Sequence, residues 1–587
     1  LLFLIVSRKV YQLLHKEINM NHELVEQDNF AFAFANVGYL SGIVIALGGT
    51  MIETENLSIS FGGDSLFENV SIKFTDDNCY GLIGANGAGK STFLKILAGD
   101  IEPSKGQVII PKGKRLAMLR QDQFAYDEFK VINTVLMGHP ELYKVYAERD
   151  ELYSKAELSD EEGMRIGDLE NEFAELDGYT AEAEAASMLN DLDIPNEDHE
   201  KLMKDLEPGL KVRVLLAQAL FGNPDILLLD EPTNQLDYLS VLWLEKFLLN
   251  FKNTVIVVSH DRHFLNKVCT HIADVDYKKI KIFVGNYDFW QQSSKLIQQQ
   301  LQDQHKKQTD KIKELEAFVR RFSANASKSK QATSRKKLID KLKPEDLEAS
   351  TRRSPYIAFK AKRPCGNNIV KVNKVSHSVN GVQLLKNVDF TMNRLDKIAI
   401  VGKNDLSRTV LLDILAGKIT PDEGTVEWGN TITPTYFPKD NSEFFKEDMS
   451  LFRWLDNFTD LDDDQLIRGF LGRMLFSGEA VDKKVKVLSG GEKARAMFSK
   501  QMLAEGNVLL FDEPTDHLDL ESITALNEGL IQFDECLLFT SHDFELLNTV
   551  ANRIIEVTAN GMIDRISNFN DYMQNEDIQA VRKKLYS

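Results

Sequence analysis

The stretch Gly84-Ala85-Asn86-Gly87-Ala88-Gly89-Lys90-Ser91 decides how the rest of the chain is read. It fits the pattern GxxxxGK[ST] in full. Tyr80-Gly81-Leu82-Ile83 ahead of it is apolar enough for a buried strand, and Thr92 to Ala98 behind it has the composition of a helix. A strand that turns through glycines into a helix is the setting in which this pattern binds phosphate. The glycines let backbone N–H groups curl around an anion, Lys90 places a cation on the outer phosphates, and Ser91 offers a hydroxyl to Mg²⁺. A chance glycine-rich turn would not bring strand, motif and helix into register.

The surroundings of this loop recur further along the chain. Residues 53–106 and 371–424 align without a gap, so that Gly84 pairs with Gly402, Gly99 with Gly417 and Gly106 with Gly424 at an offset of 318. Later, Asp230 pairs with Asp512 and His260 with His542 at an offset of 282. The smaller offset means that the first copy carries an insertion within 125–200. It is rich in Glu, Ala, Leu and Tyr and reads as helices with acidic outer faces. The chain is thus two copies of one α/β unit.

Each copy supplies further chemistry. Ile226-Leu227-Leu228-Leu229 reads as a buried parallel strand delivering Asp230 and Glu231 at its C-terminal edge. Asp230 suits Mg²⁺, and Glu231 is placed to polarise an attacking water as general base. Ser259-His260-Asp261 follows another apolar run and recurs as Ser541-His542-Asp543. A lone histidine is usually structural, but the repetition favours a γ-phosphate contact.

The phosphate loop, Leu488-Ser489-Gly490-Gly491-Glu492, Asp-Glu-Pro-Thr and the histidine together resemble the motif set of ATP-binding-cassette ATPases. Two cassettes in one chain with a charged helical linker resemble the ABC-F branch, whose members act on ribosomes. The resemblance covers Met51 to about Ser587. It implies two P-loop NTPase domains of α/β class joined by a long α-helical hairpin, with ATP and Mg²⁺ as ligands. The expected organisation is an extension at 1–50, a first cassette at 51–286 with its arm at about 125–200, a linker at 287–366 and a second cassette at 367–587.

In this family each ATP lies between one cassette's phosphate loop and the other's LSGGE segment. The first composite site would use Phe61 for adenine, Gly84 to Thr92 (Gly84, Ala85, Asn86, Gly87, Ala88, Gly89, Lys90, Ser91, Thr92), Gln121 and Asp230 with Ser91 for Mg²⁺, and Glu231, His260 and Gln121 for catalysis. Ser489, Gly490, Gly491 and Glu492 would close it. Every one of these positions matches the family pattern.

The second composite site departs from it. Gly87 has become Asp405, Gly89 has become Ser407, Lys90 has become Arg408, Phe61 has become Val379 and Gln121 has become Lys439. The first signature reads Leu206-Glu207-Pro208-Gly209-Leu210, with Glu207 in the place of the serine. Losing glycine where φ is positive is expected to cost roughly 1–2 kcal/mol per position. Arg408 keeps the charge but has a bulkier planar head. Asp405 brings a negative charge towards phosphate. Glu207 about 4 Å from a γ-phosphate would repel it by roughly 4 kcal/mol at an effective dielectric of 20, and Pro208 removes an N–H. These losses fall on one composite site and spare the other, which is not how unselected decay distributes them. Asp512, Glu513 and His542 persist in the second copy. The expectation is one tight, hydrolysing site and one weak or empty one.

The stretch 287–350 has no Gly and no Pro before Pro344, and reads as helices over Gln291 to Arg321 and Lys330 to Leu342. Residues 303–343 hold thirteen Lys and Arg against five Asp and Glu, a net of +8 in a chain of −19. Bulk charge of this sign cannot hold nucleic acid, so a local basic segment must. Arg320, Arg321, Lys328, Lys330, Arg335, Lys336 and Lys337 are the candidates for RNA contact. Phe322 to Arg335 resembles the ABC-F linker tip that meets P-site tRNA, which implies a ribosome and tRNA partner.

The remaining composition is that of a globular protein, with 43% hydrophobic and 27% charged residues among 587. Four cysteines with no CxxC argue against zinc ribbons, iron–sulfur clusters and a disulfide framework, and fit a reducing cytoplasm. That also weakens a DNA-repair cassette, which is expected to carry zinc-binding cysteines. Phe30 to Thr50 is uncharged and barely long enough to span a bilayer. It reads as an anchor or as translated upstream sequence, and the second reading is preferred because Met51 opens a complete domain pattern. No permease partner and no stable membrane association are expected. A monomer whose two cassettes pair within the chain is expected instead. The competing functions are a non-hydrolysing ATP sensor on the ribosome and the ATP-binding subunit of a transporter.

Overall fold

The computed structural model describes residues 49–61, 64–120, 122, 124–155, 158–234, 236, 238–322, 334, 338–339, 352–459 and 463–586. Contacts divide the chain into two units. The first holds residues 1–232, 245–259 and 264–351. The second holds 352–587 together with the short segments 233–244 and 260–263.

In the first unit the strands are β1 (Thr50–Phe61), β2 (Asp64–Thr75), β3 (Cys79–Gly84), β4 (Lys105–Ile109), β5 (Leu116–Met118), β6 (Ile226–Asp230), β7 (Thr254–Val258), β8 (His271–Asp276) and β9 (Lys279–Val284). They form a three-stranded antiparallel sheet, β2-β1-β4, and a six-stranded sheet, β5-β6-β7-β3-β8-β9. In the larger sheet β5, β6, β7, β3 and β8 run parallel, and β9 closes the edge antiparallel. β3, β6 and β7 are buried at every position. Their continuous apolar runs are what a sheet covered on both faces demands.

The second unit repeats this with β10 (Val370–Val379), β11 (Val382–Met392), β12 (Lys397–Val401), β13 (Glu423–Trp428), β14 (Pro434–Phe437), β15 (Val508–Phe511), β16 (Cys536–Phe539), β17 (Arg553–Thr558) and β18 (Gly561–Arg565). Its sheets run β11-β10-β13 and β14-β15-β16-β12-β17-β18. Position by position this is the order of the first unit, so the internal repeat is a repeat of topology. The two-cassette α/β fold expected from the motifs is the observed one.

The insertion is helical, with Val131–Leu136, Pro140–Tyr153, Asp160–Glu175 and Gly178–Asp191 in series. Its outer surface is laced by ion pairs such as Arg165 with Glu148 and Glu172. The linker opens with one 36-residue helix, Tyr287–Phe322, which reaches about 54 Å. It begins earlier than Gln291 because Tyr287 and Trp290 are buried in the first unit, Trp290 Nε1 donating to Asp274 at 3.1 Å. The second linker helix expected at Lys330 to Leu342 lies largely outside the described residues, as does Phe30 to Thr50 up to residue 48. The linker does not run to 366 as expected. Residues from Arg352 belong to the second unit, where Ile357 and Phe359 are buried in its core and Arg352 pairs with Glu521 at 2.7 Å.

One pair of glycines shows how closely the two copies agree. Gly106 (φ +83°) and Gly424 (φ +89°) begin the strands that pair with β1 and β10. A Cβ would stand 2.3 Å from the Glu55 carbonyl oxygen at the first and 2.4 Å from the Asn373 carbonyl oxygen at the second. Both the left-handed backbone and the close approach exclude a side chain. Gly106→Ala and Gly424→Ala are each expected to cost their own unit about 2 kcal/mol or more. Hydrogen exchange should show lost protection in the affected three-stranded sheet alone.

Candidate nucleotide sites

In the first unit β3 delivers the loop and the helix Lys90–Leu97 receives it. Gly87 (φ +81°) and Gly89 (φ +95°) take the left-handed backbone that curls the loop, and Gly89 is the helix N-cap. A Cβ on Gly87 would meet nothing within 4 Å. Lys90 is buried and its ammonium spans the loop, donating to the Gly84 carbonyl at 2.8 Å and the Ala85 carbonyl at 3.3 Å. Ser91 hydrogen-bonds the Asp230 carboxylate at the end of β6. Burial pushes the Asp230 carboxyl up, against the opposing pull of Ser91 and Lys90. Its Oδ1 is buried with no hydrogen-bond partner among the described residues. A buried carboxylate oxygen left over beside a serine hydroxyl and a lysine is the donor set a hard divalent cation takes.

Glu231 follows directly and holds a left-handed backbone, φ +51°, with its N–H donating to Val258 at 2.9 Å. Glu513 repeats this at φ +44°. Glutamate rarely adopts this conformation, and such strain concentrates where a side chain must be aimed. Nothing in the sequence signals it. Phe61, at the tip of β1, is 55% exposed, as a ring kept for stacking would be. Thr92 continues the helix, and His260 follows β7 but groups with the second unit. Gln121 lies outside the described residues.

The second unit carries the intact signature. Ser489 caps the helix Gly490–Ala504 in a reciprocal capping box: its hydroxyl oxygen accepts from Glu492 N at 3.3 Å, and its own N–H donates to Glu492 Oε2 at 2.7 Å. Lys483 pairs with Glu492 at 2.9 Å. Gly490 is close to His517, whose ring carbon would stand 3.1 Å from a Cβ there. The Ser489 hydroxyl proton is still available to a ligand. In the first unit, Glu207 caps the helix Pro208–Leu220 without any side-chain bond, and Pro208 is its first residue.

The second phosphate loop differs from the expectation in an instructive way. The glycine losses do not leave strained residues. Neither Asp405 nor Ser407 has a positive φ. The chain winds into helix three residues earlier, over Asp405–Leu415, where the first copy starts its helix at the position of Arg408. Asn404 caps it, accepting from Leu406 N at 2.9 Å and Ser407 N at 3.4 Å. Two N–H groups that would face an anion are therefore already bonded. Nor does Asp405 present a bare charge towards phosphate. It accepts from Arg408 Nη2 at 2.5 Å and Lys439 Nζ at 3.1 Å, and lies 3.4 Å from His542 Nε2. Burial works against it, but His542, Arg408 and Lys439 hold its carboxyl far below the usual carboxylate range. Arg408, 4% exposed, also stands 3.1 Å from Glu513 and 2.9 Å from His542.

Val379 packs against the second unit's core beside Val382 rather than offering a stacking face. The hydroxyl–carboxylate pair survives as Thr409 with Asp512, with Thr540 also donating to Asp512 at 2.7 Å. Asn404, Thr409 and Thr540 were not singled out from sequence. Asn404 was discoverable, since an asparagine followed by a first-turn aspartate is a helix-start signal. Of the linker residues, Arg320 and Arg321 lie on the long helix, while Lys328, Lys330, Arg335, Lys336 and Lys337 fall outside the described residues. The capping contrast is testable: Ser489→Ala should lower stability by about 1 kcal/mol, and Glu207→Ala by less than about 0.5 kcal/mol, in urea unfolding of the full chain.

The sequence matches the ABC transporter family over residues 67–234 and again over 385–516, and an ABC transporter extension over 273–359. A domain of unknown function matches residues 1–85. The chain is 56% identical over 539 residues to "Uncharacterized ABC transporter ATP-binding protein YkpA" of Bacillus subtilis (strain 168), covering 92% of this chain and 100% of that protein. It is 46% identical to "Probable ATP-binding protein YbiT" of Escherichia coli O157:H7, covering 90% and 100%. Among solved structures, "RNase-L Inhibitor" superposes with a TM-score of 0.57 at 18% identity, covering 88% of this chain and 92% of that one. The archaeal ribosome recycling factor aABCE1, in complex with the ribosomal stalk protein aP1, superposes with a TM-score of 0.54 at 17% identity, covering 87% and 89%. Loop, carboxylate strand and signature helix thus sit in both the fold and the sequence context of this group, and the chain belongs to the ABC transporter family of ATP-binding proteins, with two cassettes in tandem.

Proposed function

We propose that this chain is an ATP-hydrolysing tandem cassette of the ABC-F type that acts on the ribosome, its basic linker contacting P-site tRNA. The observation that carries the reading is the placement of charge. A segment of net +8 joins two cassettes in a chain of −19. Such asymmetry suits a polyanion partner for the linker alone. Among the described residues no helix is long and apolar enough to cross a membrane. The recycling factor named above, which shares the fold, forms a complex with a ribosomal stalk protein. A cytoplasmic monomer fits the same reading.

ATP would bind the first phosphate loop, with Phe61 against adenine and Lys90 on the outer phosphates. Mg²⁺ would supply charge to those phosphates and be held by Ser91 and Asp230, with Gln121 alongside. Glu231 would take the proton of the attacking water, and His260 would contact the γ-phosphate. Ser489 to Glu492 of the second cassette would meet that phosphate only when the cassettes close. Closure is then differential binding, since ATP favours the state in which both walls touch it. Closing sets the linker on tRNA, and hydrolysis releases it.

The test is co-sedimentation of the Glu231→Gln chain with ribosomes. It should pellet with ribosomes when ATP is present. Neutralising Lys328, Lys330 and Arg335 in that background should weaken binding by roughly tenfold or more and flatten its salt dependence. A Glu231→Gln chain that stays in the supernatant with and without ATP contradicts the proposal.

A further inference from the structure

The second phosphate loop is more than eroded, because its remaining chemistry is directed inward. Four positions of the first site have counterparts here: Lys90 as Arg408, Glu231 as Glu513, His260 as His542 and Gln121 as Lys439. In a working cassette these side chains would surround the phosphates. Here they surround one carboxylate. Arg408 and Lys439 each pair with a different oxygen of Asp405, at 2.5 Å and 3.1 Å, and His542 lies 3.4 Å from the second oxygen. Glu513 completes the group through Arg408 at 3.1 Å and through the His542 N–H at 3.0 Å.

Asp405 stands where the first copy has Gly87. There a side chain would point into open space above the curled loop. Two of the loop's own donors, the Leu406 and Ser407 N–H groups, are taken by Asn404. At the outer end of the loop, the Lys403 N–H donates to the Tyr586 hydroxyl at 3.2 Å, and the Lys403 ammonium lies 5.2 Å from that ring. Tyr586 is fixed in turn by Glu556, at 2.7 Å, which also holds Tyr572 at 2.6 Å and Arg582 at 2.8 Å. Asn404 from within the loop and Tyr586 from the C-terminal helix thus both bond N–H groups of the loop.

We propose that Asp405 is a tethered anion that fills the phosphate position of the second cassette, so that this cassette takes no nucleotide there and keeps Glu513 and His542 in place without one. The bound phosphate of an ordinary cassette is replaced by a carboxylate supplied three residues ahead of the arginine it pairs with. Arg408 and Lys439 face Asp405 and Glu513, and Asp516 and Asp512 also act on Lys439. Deleting the Asp405 carboxylate removes the acceptor that Arg408 and Lys439 share and leaves buried Arg408 with Glu513 as its carboxylate partner. Taking one of two carboxylate partners from a buried cation is destabilising, and an added oxyanion is the species that replaces it. The ligand class of the emptied site is therefore a small tetrahedral oxyanion. The inference rests on the second unit alone and is independent of any ribosomal role.

The experiment uses the full chain with Lys90→Ala, which blunts the first site, with and without Asp405→Ala. Thermal unfolding is followed in sodium chloride and in sodium phosphate of equal ionic strength, at phosphate up to about 20 mM. Asp405→Ala should lower the melting temperature of the second cassette by about 4 °C or more, and phosphate should restore at least half of that loss. The parent should gain no more in phosphate than the first cassette does. Asp405→Asn, which keeps the side-chain volume, should show the same phosphate response if the alanine variant fails to fold. Variants as stable as the parent, or destabilised and indifferent to phosphate, overturn the proposal.

Discussion

Backbone N–H groups that follow a buried strand have two sets of partners open to them, an anion or the chain itself. In the first cassette Gly87 and Gly89 hold a left-handed backbone and the loop curls, with the Ala88 N–H donating to the Ala85 carbonyl at 3.1 Å. In the second, no residue from Asp405 to Arg408 has a positive φ, the helix starts at Asp405, and Asn404 takes two of the donors. That single choice separates the two copies. The sheets below are in the same order, the carboxylate strands end in the same left-handed glutamate, and the hydroxyl–carboxylate pair exists in both.

The side chains follow the backbone. Lys90 lies across an open loop on two carbonyls, poised to exchange them for phosphate oxygens. Arg408 is locked between Asp405, Glu513 and His542. A planar guanidinium suits that role because it can serve several acceptors at once, which a lysine ammonium does less rigidly. Glu513 and His542 then have a structural role in the second site. Removing either would leave Arg408 buried with fewer partners.

Much of this was legible in the residues. The offsets of 318 and 282 anticipated two sheets of identical order, and Gly106 and Gly424 turned out to be constrained in the same way at the same turn. The Ser489–Glu492 capping box is present as the motif suggests. Other features were hidden for physical reasons. Reading substitutions one at a time treated Asp405 and Ser407 as strained replacements for glycine, whereas together with Asn404 they form a helix start and relieve the strain. Pairing of Asp405 with Lys439, 34 residues away, depends on tertiary structure. The left-handed Glu231 and Glu513 have no compositional signal. Residues 352–366 read as linker, yet Ile357 and Phe359 alternate into the second core, a period of two too short to stand out beside the long helix.

On the proposal made above, one cassette receives nucleotide and the other holds its own carboxylate in its place. The most direct measurement is the number of ATP molecules retained by the purified Glu231→Gln chain after rapid gel filtration with Mg²⁺. The account predicts one per chain. Two tightly held ATP per chain would contradict it.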